Sequence, residues 1–266
     1  MVANIASNNN MDRGAQVEAD GAMLSNTTVK NSSFDNNGTS GIRALTTNAG
    51  SIDTAIFSNN TTTNNTAHGI VGVATIAGSN ISNLNFYNNT SLGNGNVGVF
   101  ALSVNSGNIG TTRFISNTMI DNTNIGGFVQ ASNLGTVNAV NFINNEANSN
   151  DAGGLSVIAF TDGAVDMVNF SGNTSINNTG HGIVINDDSA TGDIHADLGG
   201  GSLGSIGQNS IFNNTLEEIR VDLDGGELSA ENNFFGSAAG LLPAEVLLED
   251  GSTIDADPFL TSDPNL

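Results

Sequence analysis

Apolar and polar positions along this chain fall in short alternating runs, and the runs recur at a nearly fixed interval. Phenylalanine stands at Phe57, Phe86, Phe114, Phe142 and Phe170, separated by 29, 28, 28 and 28 residues. Five residues before each is a β-branched aliphatic: Ile52, Ile81, Ile109, Val137 and Val165. Seven before stand Gly50, Ser79, Gly107, Gly135 and Gly163. Three after comes asparagine in every copy, at Asn60, Asn89, Asn117, Asn145 and Asn173. Eight after comes another, at Asn65, Asn94, Asn122, Asn150 and Asn178. Twelve after comes Gly69, Gly98, Gly126, Gly154 or Gly182, usually leading into Ile, Val or Leu. An earlier, shorter turn is visible around Val29, Phe34 and Asn37.

Each copy predicts three short strands separated by bends. The first runs from the Ile/Val to the Phe. The second lies between the two asparagines and opens on Thr61, Thr90, Thr118, Glu146 or Thr174. The third follows the glycine, as in Ile70–Val73 or Ile183–Ile185. No segment carries the 3.6-residue apolar spacing of a sustained helix. A unit this small cannot bury its apolar face alone, so the copies must stack, with equivalent positions above one another at the ~4.8 Å strand spacing. Stacking predicts an internal Phe column, an Ile/Val column and Asn amides bonded to the same amide one coil away. Asn also tolerates the left-handed backbone of a tight bend, and Gly suits corners of positive φ or close approach. The expected fold is all-β: a single right-handed parallel β-helix of ~28-residue coils, three strands each, with about eight or nine coils.

Composition narrows the chemistry. The 266 residues hold five Lys+Arg against 26 Asp+Glu, a formal net charge of −21, with no Cys and no Trp. Such a surface repels nucleic acid, anionic lipid and polyuronates, and it attracts cations. Disulfides, thiol catalysis and cysteine-ligated zinc are excluded. No apolar run approaches a membrane span, so no membrane insertion is expected. Met1 to Gly14 shows neither the basic region nor the apolar stretch of a signal peptide. The chain opens inside an Asn-rich pattern, which suggests a longer native polypeptide. Residues 1–25 are expected to cap the solenoid or continue a longer one, 26–236 to form the β-helix, and 237–266 to be an irregular closing segment.

The pattern resembles the pectate-lyase-like superfamily of parallel β-helices, and most closely the Asn-rich repeat proteins of bacterial and archaeal surfaces. The resemblance covers residues ~25 to 266. Asn232-Asn233-Phe234-Phe235-Gly236 and Asp257-Pro258-Phe259-Leu260 are similar to the Asn-Asn-Trp-Trp-Gly and Asp-Pro-Phe/Leu endings of such proteins, with Phe at both Trp positions. It implies an extracellular or cell-surface location.

One stretch breaks the rhythm. Phe212 follows Phe170 by 42 residues, and the excess lies in 186–208. A long loop on a regular scaffold is a place to look for function. Its Asp187, Asp188, Asp193 and Asp197 are hard oxygen ligands, the candidate set for calcium, although no cofactor is required by the pattern. The alternative is a solvated acidic loop. Neither an EF-hand spacing nor a Gly-Gly-x-Gly-x-Asp repeat is present.

Catalytic motifs fit poorly. Polygalacturonases of this fold carry an Asp pair before a Gly-His-Gly motif and an Arg-x-Lys after it. Here Gly180-His181-Gly182 precedes Asp187-Asp188 and no Arg-x-Lys exists. His181 also shares its repeat position with His68, Val97, Ile125 and Gly153, which marks both histidines as bend residues. Lyases of the superfamily use a basic residue, and Arg113 is predicted on the outer side of its strand. Glu217 and Glu218 with Asp222 and Asp224 could supply two carboxylates for glycoside hydrolysis, or simply a solvated acidic face. The leading expectation is therefore a non-enzymatic stalk or adhesin-like module that binds polysaccharide or cell-surface glycan. A polysaccharide lyase or glycoside hydrolase is the alternative. The third reading is end-to-end self-association into a fibre, or an ice-binding Thr array that Glu146 interrupts.

Overall fold

Strands rich in Val, Ile, Phe and Thr, cut short by Asn and Gly, stack here into three parallel sheets. The computed structural model describes residues 1–189 and 194–265 and is a parallel β-solenoid of about nine turns. Among the described residues the sheets hold ten, seven and nine strands; the inner coils contribute one strand to each sheet in turn, and the coils at the two ends lack the second-sheet strand. Strands of the first sheet, such as Ser51–Ser58 and Asn108–Ile115, carry the repeating Phe as their last residue but one. The second sheet is built of three-residue strands such as Thr61–Thr63 and Thr118–Ile120. The third holds strands such as Ile70–Ala74 and His181–Asp188. One 3-10 turn, Pro243–Glu245, is the only helical element among the described residues.

Register follows the repeat. Phe57 pairs with Phe86, Phe86 with Phe114, Phe114 with Phe142 and Phe142 with Phe170. Their buried rings stack at centroid distances of 5.6, 4.9, 4.5 and 4.9 Å. Ile52, Ile81, Ile109, Val137 and Val165 form a second buried column, and Ile70, Val99, Leu155 and Ile183 line the facing sheet. Because side chains alternate along a strand, each strand gives one face to this core and the other to solvent.

Two asparagine ladders flank the second sheet. In one, each side-chain amide donates to the carboxamide oxygen of the next: Asn60 to Asn89, Asn117, Asn145, Asn173, Asn209 and Asn233. The other runs from Asn10 through Asn37, Asn65, Asn94, Asn122, Asn150 and Asn178 to Asn214. The same oxygens accept a backbone N–H, as Asn117 Oδ1 does from Asn89 at 3.0 Å. Asparagine was expected both to ladder and to take the left-handed bend, and the structure divides these roles between neighbours. The left-handed backbone falls on the residue before each ladder position: Asn59, Asn88, Ser116, Asn144 and Gly172 all have φ between 53° and 66°. Asn60, Asn89, Asn117, Asn145 and Asn173 follow them and turn their amides inward.

The repeat glycines serve close approach. A Cβ on Gly154 would lie 1.8 Å from Ser175 Oγ, and one on Gly107 would lie 2.4 Å from the Ala74 carbonyl oxygen. Neither has a positive φ.

Both ends take part in the sheets. Val2–Ala3 pairs with the first-sheet strand Met23–Lys30, and Ala15–Asp20 pairs with Ile42–Thr47. The segment 237–266, expected to be irregular, carries Val246–Glu249 and Thr253–Asp255 in register on the third and first sheets. Val246, Ile254 and Phe259 pack against the core there. Phe235 is buried in the core, and Phe234 meets the Phe212 ring edge-on at 5.6 Å.

Candidate functional site

The long coil leaves both ladders intact, since Asn173 bonds Asn209 and Asn178 bonds Asn214 across 36 residues. Its carboxylates are distributed by strand alternation and by the change of sheet. Asp187 pairs in register with inward-facing Ala159 at the end of His181–Asp188, so it points inward and is buried. It accepts from Ser189 Oγ at 2.6 Å and from the Ile194 N–H at 3.0 Å. Burial pushes its pKa up, and those two donors oppose the shift. Asp188, next along, points outward and is exposed. Asp193 lies outside the described residues. Asp197 belongs to a different sheet, in the strand His195–Gly199. It is 1 % exposed, and its two oxygens accept the backbone N–H groups of Gly199, Gly201, Leu203 and Ser205 at 2.8 to 3.2 Å. Asp197 is thus committed to folding its own glycine-rich loop.

The carboxylates that converge are others. Asp222, Asp224 and Asp250 each place one oxygen within 4.8 Å of the other two. Asp222 ends the strand Ile219–Asp222, and Asp224 and Asp250 occupy the corners that follow in two successive coils. Asp224 and Asp250 line a cleft of about 550 Å³ together with Asp187, Asp188, Thr161 and Asp162. Asp222 is 8 % exposed. Its pKa is raised, first by burial and then by the Asp250 charge, with Glu249 and Asp224 adding and the Asp224 amide opposing. Two features of the sequence carry this cluster, Asp222-Leu223-Asp224-Gly225 and Glu249-Asp250-Gly251. They fall one coil apart, so only the register Asp222↔Glu249 joins them.

The remaining motifs resolve individually. His181 opens a strand and lies 3.2 Å from Glu217 Oε2 without hydrogen-bond geometry. Burial lowers its pKa against the pull of Glu217. Glu218 is buried, accepts from Asn214 Nδ2, and so ends the second ladder. Burial raises its pKa and the Asn214 donor opposes this. At ~3.3 Å per residue, Glu218 and Asp222 stand roughly 13 Å apart along their strand, beyond the ~5–9.5 Å of a glycosidase pair. Arg113 donates to Asn85 Oδ1 at 3.2 Å on the outside of the first sheet. Thr61, Thr90, Thr118, Glu146 and Thr174 do form one column on the second sheet.

Sequence reading missed a patch on the outer face of the third sheet. Leu45, Val71, Val73, Val97 and Phe100 bury one another there, apart from the main core. Phe100 stacks on Phe128 at 4.9 Å with 3° between planes, and His68 lies 5.1 Å from Phe100. Arg13 and Arg43 border the same hollow. Phe100 and Phe128 both lie two residues after a repeat glycine, off the Phe register, and this shared offset was the available signal.

Burial, with Arg43 beside it, pushes the His68 pKa down from 6.5 to about 4. Between those values the unfolded chain binds a proton that the folded chain refuses. Stability is therefore complete above about pH 6.5 and is lost as pH falls towards 4, by about 3 kcal/mol in the limit. His68→Val, the residue at the equivalent Val97, is expected to narrow or reverse its stability gap to the parent as pH drops from 7 to 4. Urea denaturation of both proteins at the two pH values checks this. A gap that does not change with pH would refute it.

No helix among the described residues is long and apolar enough to cross a membrane. Compared with protein-family models, with curated proteins and with solved structures, the chain matches none, so its parallel β-solenoid fold rests on its own repeat and register.

Proposed function

We propose that this chain is a non-enzymatic extracellular or cell-surface solenoid, a rigid stalk or adhesin-like glycan-binding module of a larger protein. The observation that carries this reading is continuity. Each Asn ladder passes from coil to coil without a gap between its ends, even through the 36-residue coil. Three parallel sheets, the Phe column and the ladders join each coil to the next, so bending the axis would break many bonds at once. The likeness to Asn-rich surface repeat proteins agrees with such a role, as a fold-level analogy. The glycan face in this reading is the outer strip around Phe100 and Phe128. It offers an apolar floor with Arg43, His68 and Gln130 at hand.

One specific observation favours the alternative, a polysaccharide-cleaving enzyme: the neighbouring carboxylates Asp222 and Asp224, one with a raised pKa. A single panel of neutral and anionic polysaccharides separates the readings. The expected result is retention of a glycan, weakened at least tenfold by Phe128→Ser, with no reducing ends released. X-ray scattering should show a stiff particle whose stacked axis is about 43 Å, nine intervals of ~4.8 Å. Release of reducing ends that disappears in Asp224→Asn would overturn the proposal in favour of the enzyme.

A further inference from the structure

At the corner where the third sheet ends, four acidic side chains from two consecutive coils share a small volume. Asp222, Asp224 and Asp250 bring carboxylate oxygens within 4.8 Å of one another, and Glu249 stands beside Asp222 in register. Glu249 is taken up by Arg220, whose Nε donates to it at 2.6 Å. The other three have no cation facing them among the described ion pairs.

A second observation is independent of that crowding. Asp222 Oδ1 is fully buried and has no hydrogen-bond partner, and the side chain as a whole is 8 % exposed. One coil earlier, directly paired with Asp222, Asn186 Oδ1 is also buried and also without a partner. Buried oxygens in a folded protein are almost always hydrogen-bonded, so two orphaned acceptors at paired positions call for a positive partner. Both Oδ1 atoms are acceptors, so a hydrogen-bond donor or a cation would satisfy them, and another carbonyl or carboxylate oxygen would not.

We propose that Asp222, Asp224 and Asp250, with Asn186 as a neutral fourth donor, form a binding site for one calcium ion. The donor set is all oxygen, which suits a hard cation. Oxygens bound to one calcium at 2.3–2.6 Å lie no more than about 4.6–5.2 Å apart, a range that the separations within 4.8 Å match. Magnesium, at 2.0–2.1 Å, holds its oxygens within about 4.2 Å in a strict octahedron and sheds its water reluctantly, so a corner of carboxylates from two coils suits the more flexible calcium shell better. The ion would join three successive coils: Asn186 in one, Asp222 and Asp224 in the next, Asp250 in the third. It neutralises the like charges that the strand register forces together. Exposed Asp188, on the rim of the same cleft, would reach it through water. Asp187, which accepts from the Ser189 hydroxyl and the Ile194 N–H, and Asp197, which accepts four backbone N–H groups, are left out of this donor set. The proposal does not depend on the stalk or adhesin reading.

A net charge of −21 attracts cations everywhere, so the test must separate a site from an ion atmosphere. The whole chain, stripped with chelator and dialysed, is titrated calorimetrically with calcium chloride and then magnesium chloride in about 0.15 M potassium chloride. The expected result is one saturable calcium per chain, at a Kd of about 1 mM or tighter, with magnesium at least tenfold weaker. Asp250→Asn, at an exposed position that the fold tolerates, should weaken calcium at least tenfold, and Asp224→Asn should do likewise. Asp53→Asn, exposed on the first sheet, should leave it unchanged. Absence of saturable binding, equal loss in the Asp53 variant, or magnesium binding as tightly as calcium would each overturn the assignment.

Discussion

Replacing Asn117 by alanine is expected to lower the unfolding free energy by about 3–5 kcal/mol. Its carboxamide oxygen accepts from the Asn89 backbone N–H at 3.0 Å and from Asn89 Nδ2 at 2.9 Å. Its amide donates to the Phe86 carbonyl at 2.9 Å and to Asn145 Oδ1 at 3.0 Å. Alanine removes all four bonds and leaves the partners buried, where each unsatisfied group costs about 1–3 kcal/mol. Water cannot replace them, because Asn89 and Asn145 are 1 % and 2 % exposed. Exposed Asn138, on a neighbouring strand outside the ladder, serves as control, and Asn138→Ala should stay within about 0.5 kcal/mol. Adding Asn145→Ala to Asn117→Ala should cost less than the sum of the two single changes, since they share a bond. Equilibrium urea denaturation measures all of these. A loss below about 1 kcal/mol for Asn117→Ala would show that the ladder is incidental to stability.

Phe114→Ala should be of similar size, about 3–5 kcal/mol, for a different reason. The Phe114 ring is fully buried between Phe86 at 4.9 Å and Phe142 at 4.5 Å. In many cores the neighbours relax into the space left by a deleted ring. Here the strand hydrogen bonds above and below hold the coils at a fixed spacing of ~4.8 Å, so the column cannot close. Phe114→Leu, which refills part of the volume, should cost less than half as much. Phe128→Ala, on the outer face, should cost under about 2 kcal/mol because solvent can enter. If Phe114→Ala proved no worse than Phe128→Ala, the Phe column would not be the stiff element described above.

The repeat carried most of the fold because a solenoid converts sequence period directly into spatial contact. Residues 28 apart become cross-strand neighbours, so Phe114 above Phe86 and Asn117 above Asn89 were readable as columns. Division of labour at the bends was not. Asn59-Asn60 and Asn88-Asn89 present the same residue twice, and only Ser116-Asn117 and Gly172-Asn173 separate the left-handed position from the ladder position. The candidate metal residues were less legible still. Asp187, Asp188, Asp193 and Asp197 lie close in sequence and read as one group. In the fold Asp187 turns inward, Asp188 outward, and Asp197 sits on another sheet among four N–H donors.

What the sequence alone determined is whatever repeats: an all-β solenoid, three strands per coil, inward Phe and Ile/Val columns, and laddered asparagines. It also determined the acidic surface and the absence of thiol chemistry, which are sums over the chain and need no geometry. The tertiary structure alone decided which carboxylates meet. Asp222 and Asp250 are 28 residues apart, and neither belongs to the repeating pattern. They converge because the pairing of Ile219–Asp222 with Val246–Glu249 sets one coil on the next and carries the two corners together. It also decided that Phe100 and Phe128 stack outside the core, since an offset of two residues from a repeat glycine falls on the solvent side of a strand. Period fixes columns, but contacts between unlike positions depend on register and on which face of the strand each side chain takes.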